Sequence, residues 1–148
     1  MIKAKSNAIH ILEAKSLEIK RQKYPNTPYL TATKYSDQTT NELTKCIIHC
    51  IQFDGYQAER INSMGRQITT KGVTKMIPGS STKGTADISA TIKGRSVKIE
   101  VKCAATGDRY QSDDQKAYQK AVESAGGVYI IVRDFESFYN WYNQFINE

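Results

Sequence analysis

The chain has 148 residues, 39% of them hydrophobic, which suffices for one domain around a single core and excludes two large ones. Its net charge is +6, and no stretch approaches the roughly 20 apolar residues of a membrane span, so a membrane-spanning protein is not expected and a polyanionic partner is favoured. Cys46, Cys50 and Cys103 form no C-x-x-C pair and imply no disulfide framework; with no apolar centre of a signal peptide in "MIKAKSNAIHILEAKSLEIK", a cytoplasmic location is the expectation.

The charge is unevenly spread. Residues 1 to 35 carry seven Lys/Arg against Glu13 and Glu18, residues 36 to 112 carry eleven against seven acids, and residues 113 to 148 carry three against six. A polyanion is therefore steered toward the first three quarters of the chain.

Residues 4 to 23 have helical periodicity, with Ile9, Leu12, Ser16 and Ile19 on one stripe and Lys15, Lys20, Arg21 and Lys23 off it. Pro25 and Pro28 end that helix, so residues 1 to 35 read as a basic helix and linker ahead of a domain spanning 36 to 148. A second helix is predicted from Thr40 to Phe53, carrying Leu43, Cys46, Ile47, Cys50 and Ile51 inward and Glu42 in the first turn, where the helix dipole favours an acid. Cys46, His49 and Cys50 share one side of it, but no fourth ligand completes a zinc set, and buried small side chains explain them better.

"YQAERINS" (Tyr56 to Ser63) predicts a strand, closed by Gly65. "TTKGVTKMIPGSSTKG" predicts a mobile loop with a short strand near Val73 to Ile77. Ser112 and Gln115 form a capping box that opens a helix ended by Gly126-Gly127, with Ala117, Tyr118, Ala121, Val122 and Ala125 as its apolar stripe. The unalternating "VYIIV" (Val128 to Val132) predicts a central strand covered on both faces. A last helix sets Phe138, Trp141, Tyr142 and Phe145 on one side, for core packing or a dimer contact.

The most informative stretch is "GTADISATIKGRSVKIEVK", Gly84 to Lys102. A two-residue turn at Lys93-Gly94 pairs Ile92 with Arg95, Ala90 with Val97 and Ile88 with Ile99, gathering the apolar residues on one face. The same register sets Asp87 against Glu100 on the other face, with Lys98 and Lys102. A four-residue loop would also sort the faces, setting Asp87 beside Lys102; a three-residue loop would scramble them. Opposed β-carbons lie about 4.5 to 5.5 Å apart, where like charges destabilise. A raised carboxyl pKa, a neighbouring lysine or a divalent cation between the carboxylates relieves that repulsion.

Taken in order, Glu42 on the first core helix, Arg60 with "INSMGR", "KGTAD" leading to Asp87, "EVK" at Glu100 to Lys102, "QSDDQ" ending in Gln115, and "GGVYIIV" make residues 37 to 145 resemble the PD-(D/E)XK nuclease superfamily, in particular the small VRR-NUC group related to Holliday-junction resolvases. Ala86 stands where the superfamily commonly has proline. The resemblance implies an α/β fold: a restriction-endonuclease-like αβββαβ core with a mixed central sheet flanked by helices, here with an extra N-terminal basic helix and a C-terminal aromatic one.

It further implies a Mg²⁺-dependent (or Mn²⁺-dependent) endonuclease of bacteriophage or mobile-element kind, acting on branched, flap or otherwise discontinuous DNA, with a homodimer among the expectations. Its catalytic residues would be Asp87, Glu100 and Lys102, with Glu42 and Gln115 in support. Asp87, Glu100, Val101 and Glu42 would hold metal, and Arg60, Arg66 and Lys83 would meet phosphates; Lys20, Arg21 and Lys23 lie in the N-terminal segment that the resemblance does not cover and are expected to meet phosphates on their charge alone. Two other functions compete: a nucleic-acid-binding or assembly module that keeps the fold without catalysis, and a protein-interaction or inhibitor role for the aromatic C-terminal face.

Overall fold

The computed structural model describes residues 3–61, 66–77 and 82–148, with the side chain of Arg66 outside that description. Helix α1 (Asn7–Lys23) starts at Ser6, whose hydroxyl accepts from Ile9 N–H, and α2 (Thr40–Phe53) starts at Thr39 in the same way. Strands β1 (Gln57–Arg60), β4 (Ile88–Ile92), β5 (Arg95–Val101) and β6 (Val128–Val132) form one sheet in the order β1-β4-β5-β6, and β2 (Arg66–Thr70) pairs only with β3 (Val73–Ile77). Helix α3 (Asp113–Ser124) joins β5 to β6, and α4 (Phe135–Ile146) closes the chain. The result is a mixed α/β protein: β1, β4 and β5 are antiparallel neighbours, while β6 runs parallel to β5.

Alternation along β4 and β5 builds the core. Ile88, Ala90, Ile92, Val97, Ile99 and Val101 are all buried on the face covered by α2 and α4. The predicted register holds, with Ile92 opposite Arg95, Ala90 opposite Val97 and Ile88 opposite Ile99. Lys93 and Gly94 both take positive φ (52° and 76°), the backbone of a tight two-residue hairpin turn. Helix α1 packs on α2 and α4, burying Ala8, Ile9, Leu12 and Ser16 in the same core as the sheet. Its basic residues thus ride on an element of the core. No helix among the described residues is long and apolar enough to cross a membrane.

Four expectations need correction. The loop predicted before the hairpin holds the expected short strand at Val73–Ile77 but also a second one that was not expected: β2 pairs with β3 across Lys71-Gly72, a turn with positive φ at both residues (52° and 75°) like that at Lys93-Gly94. The strand predicted from Tyr56 to Ser63 runs only from Gln57 to Arg60, and residues 62–65 lie outside the described ones. β6 is an edge strand, with Ile131 37% exposed. Its apolar run reflects packing on two faces, Tyr129 against Tyr118 of α3 and Val132 in the α4-side core, which says nothing about whether another strand lies beside it. On α3, Ala117, Ala121 and Ala125 are exposed and only Tyr118 and Val122 are half-buried, because the helix touches the sheet chiefly at β6. On α4, Phe135, Phe138, Tyr142 and Phe145 are core residues and Trp141 is half-buried.

Candidate active site

Side chains on the face of β4–β5 opposite the main core converge near its end. Glu100 is 3% exposed and Lys102 7%, an expensive placement for charged groups unless each is partnered. Gln115 Nε2 donates to Glu100 Oε1 at 2.6 Å, and Lys102 Nζ lies 3.5 Å from the same oxygen. The other oxygen, Oε2, is buried with no hydrogen-bond partner among the described residues. Burial, with the charge of Asp87 beside it and against the pull of Lys102, raises the Glu100 carboxyl from 4.5 to about 7.

Asp87 sits just before β4 and is held from both sides. Its Oδ2 accepts from Val101 N–H at 2.8 Å, and its carbonyl accepts from Ile61 N–H at 2.7 Å. Val101 therefore meets this site through its backbone, its side chain being in the core. Gln115, expected either as a cap or at the site, makes a contact of each kind: its Oε1 accepts from Ser112 N–H at 2.9 Å to cap α3, while its Nε2 donates to Glu100.

The loop into Asp87 is pressed against that helix start. Gly84 has φ of 73°, and a β-carbon there would collide with the backbone of Asp114 and Gln115. Only glycine permits both the conformation and the approach.

Other expected residues lie elsewhere. Glu42 is exposed and lines a different depression with Lys5, Lys34, Tyr35, Ser36 and Lys45, above the buried Glu13, which takes ion pairs from Lys5 (2.9 Å) and Lys34 (3.9 Å). Glu42 does not join Asp87 and Glu100: among the described residues no three His, Cys, Asp or Glu side chains form a metal-holding group. The direction in which a first-turn residue points depends on how α2 crosses the sheet, which its own sequence does not encode.

Arg60 is exposed, but its register partner Ile88 is on the core side, opposite the carboxylates; Lys83 is exposed immediately before Gly84. Arg66 has no described side chain. Lys20 donates to the Thr31 carbonyl at 2.9 Å and ties the linker down, Lys23 lies over the ring of Tyr24, and Arg21 is exposed. Burial pushes the Cys46 and Cys50 thiols up to about 12, so they stay protonated; Cys46 donates to the Ser36 carbonyl, and His49 Nδ1 is hydrogen-bonded to the Tyr35 hydroxyl.

Sequence reasoning missed three contributors. Asp108 Oδ1 is 3.7 Å from Lys102 Nζ and is its second anionic neighbour. Tyr129 is buried close enough for its phenol to be raised to about 12, by burial first and by Glu100 and Asp87 next, against a hydrogen bond from Gln111. Arg133, just past β6, donates to the Arg109 carbonyl at 3.5 Å, and its own carbonyl accepts from Ala104 N–H beyond the end of β5.

Searches of known protein families, curated proteins and solved structures returned no significant match.

Proposed function

We propose that this chain is a metal-dependent endonuclease that hydrolyses DNA phosphodiester bonds and selects branched, flap or junction DNA. The observation that carries the reading is Glu100 Oε2: a buried carboxylate oxygen without a hydrogen-bond partner among the described residues, beside a second carboxylate and a buried lysine. Buried polar groups are ordinarily paired, so an atom left over at a buried carboxylate beside a second one calls for an ion or a bound water.

The donor set fits a hard divalent cation such as Mg²⁺ or Mn²⁺, for which carboxylate oxygens are the preferred protein ligands. Asp87 and Glu100 Oε2 would hold it, and when bound it supplies Lewis-acid polarisation of the scissile phosphate. The chain's own groups do the rest. Gln115 fixes the Glu100 rotamer through Oε1, leaving Oε2 as the free atom. Val101 N–H orients Asp87. Lys102, braced between Glu100 and Asp108, offers positive charge to the oxygens on which negative charge grows as water attacks phosphorus, and its burial strengthens that interaction.

The test incubates labelled four-way junction, flap and linear duplex DNA with the protein in Mg²⁺, Mn²⁺ or EDTA, alongside Asp87→Ala and Lys102→Ala. Cleavage in metal that is absent in EDTA and in both variants supports the reading. DNA binding by the wild type without cleavage in either metal refutes it and makes the protein a binding module.

A further inference from the structure

The β2–β3 ribbon takes no part in the site or the main sheet, yet its position in the chain is telling. In chain order it falls between Ile61, whose N–H donates to the Asp87 backbone carbonyl, and the Lys83–Ala86 approach to Asp87, so the described segments before and after it both lead to that residue. Between Glu59 and Asp87 the chain holds five cations (Arg60, Arg66, Lys71, Lys75, Lys83) and no acid.

Pairing sorts the ribbon into two faces. Ile68 opposite Lys75 and Thr70 opposite Val73 share one face with Ile77, and a shallow depression there is bordered by Lys71 at the turn. Gln67 opposite Met76 and Thr69 hydrogen-bonded to Thr74 form the other. Every β3 residue is exposed, with Val73 at 57% and Met76 at 66%. An exposed apolar strand needs a partner or a deterrent. Charge decides which partner. A second copy of the ribbon laid on this face offers Lys71 and Lys75 no acidic partner, whereas a nucleic-acid backbone neutralises them.

We infer that the β2–β3 ribbon is a DNA-contacting arm, in which Lys71 and Lys75 pair with backbone phosphates while Ile68, Val73 and Ile77 lie against the sugars and base edges of a groove. A two-stranded ribbon has the width to enter the major groove of B-form DNA. Ten residues separate Ile61 from Lys71, so the tip lies within about 35 Å of the carboxylates, roughly one helical turn of duplex. The ribbon would thus contact DNA flanking the cut.

This inference rests on the DNA reading above, and the experiment separates the two. Lys71→Asn with Lys75→Gln removes both charges, Asn tolerating the positive φ at the turn. The control, Lys116→Gln with Lys120→Gln, removes two exposed charges from α3. Affinity for junction and duplex DNA is measured against salt, together with Mn²⁺-dependent hydrolysis of bis(4-nitrophenyl) phosphate.

The ribbon variant is expected to bind roughly tenfold more weakly in low salt, with a log–log salt slope shallower by about 1.8, while the control keeps the wild-type slope and all three proteins treat the small diester alike. Equal slopes for the ribbon variant and wild type overturn the inference, as does a wild type that binds no DNA. Equal slopes together with a dimer in sedimentation that Val73→Lys dissociates would assign the ribbon to a second copy. A ribbon-dependent slope in a protein that cleaves nothing keeps the arm and removes the nuclease reading; cleavage with a ribbon-independent slope does the reverse.

Discussion

Replacing Glu100 by glutamine should make the metal-free protein more stable at alkaline pH. The carboxyl titrates at about 7 in the folded chain against an ordinary 4.5, a difference of about 2.5 pH units, each worth about 1.36 kcal/mol. A folded value above the unfolded one means that stability is complete below pH 4.5 and is lost as pH rises through 7, because ionisation is easier in the unfolded chain. The loss approaches about 3 kcal/mol, with the attraction of Lys102 already included. Glutamine keeps an oxygen for Gln115 Nε2 and never ionises.

In EDTA the wild-type melting temperature should therefore fall between pH 4 and 8.5 by about 6 to 12 °C relative to Glu100→Gln, at about 2 to 4 °C per kcal/mol for a chain of this size. The two proteins should nearly coincide at pH 4, below the ordinary value of 4.5. Added Mn²⁺ should restore the wild type at pH 8 and leave the variant unmoved. A glutamine variant that melts below wild type at pH 8 in EDTA, with parallel pH profiles, would refute the claim that this carboxylate is held under electrostatic strain.

Lys102→Met should lower cleavage at least about 100-fold while DNA affinity changes little, measured by single-turnover assays beside equilibrium binding. Gly84→Ala should cost at least about 2 kcal/mol in a urea titration and abolish cleavage, because the loop and the α3 start cannot both keep their places. Tyr142→Phe should lose about 1 to 2 kcal/mol at pH 7, the buried hydroxyl donating to Asp54 Oδ2 at 2.6 Å. Burial opposes ionisation of Asp54, but the bonds from Lys15 and Tyr142 outweigh it and leave its pKa lowered, so its contribution is complete above the ordinary 3.8 and fades as pH falls through the folded value. The phenylalanine variant should accordingly show a flatter acid limb in the same titration.

The hairpin that carries Asp87 and Glu100 was legible because its information is local: β-branched alternation, a two-residue turn and a parity that admits few registers. The Thr40–Phe53 helix was legible to the residue for the same reason. Of the ribbon, the Val73–Ile77 strand was legible and its partner was not, because Arg66–Thr70 offers a single apolar residue, although the Lys-Gly turn joining it to Val73 repeats the one at Lys93-Gly94. What no local pattern carries is direction across the fold. Glu42 faces lysines of the α1 side, Asp108 returns to Lys102 through a loop, and β6 ends the sheet, all consequences of how finished elements pack.

Gln115 gives one amide two employers. Its oxygen secures the first turn of α3 and its nitrogen steadies the Glu100 carboxylate, so fraying of that turn and loosening of the carboxylate are one event. Any occupant that grips Glu100 must also slow hydrogen exchange at the amides of residues 115 and 116, and a helix start about 15 residues along the chain becomes a reporter of what the carboxylate holds.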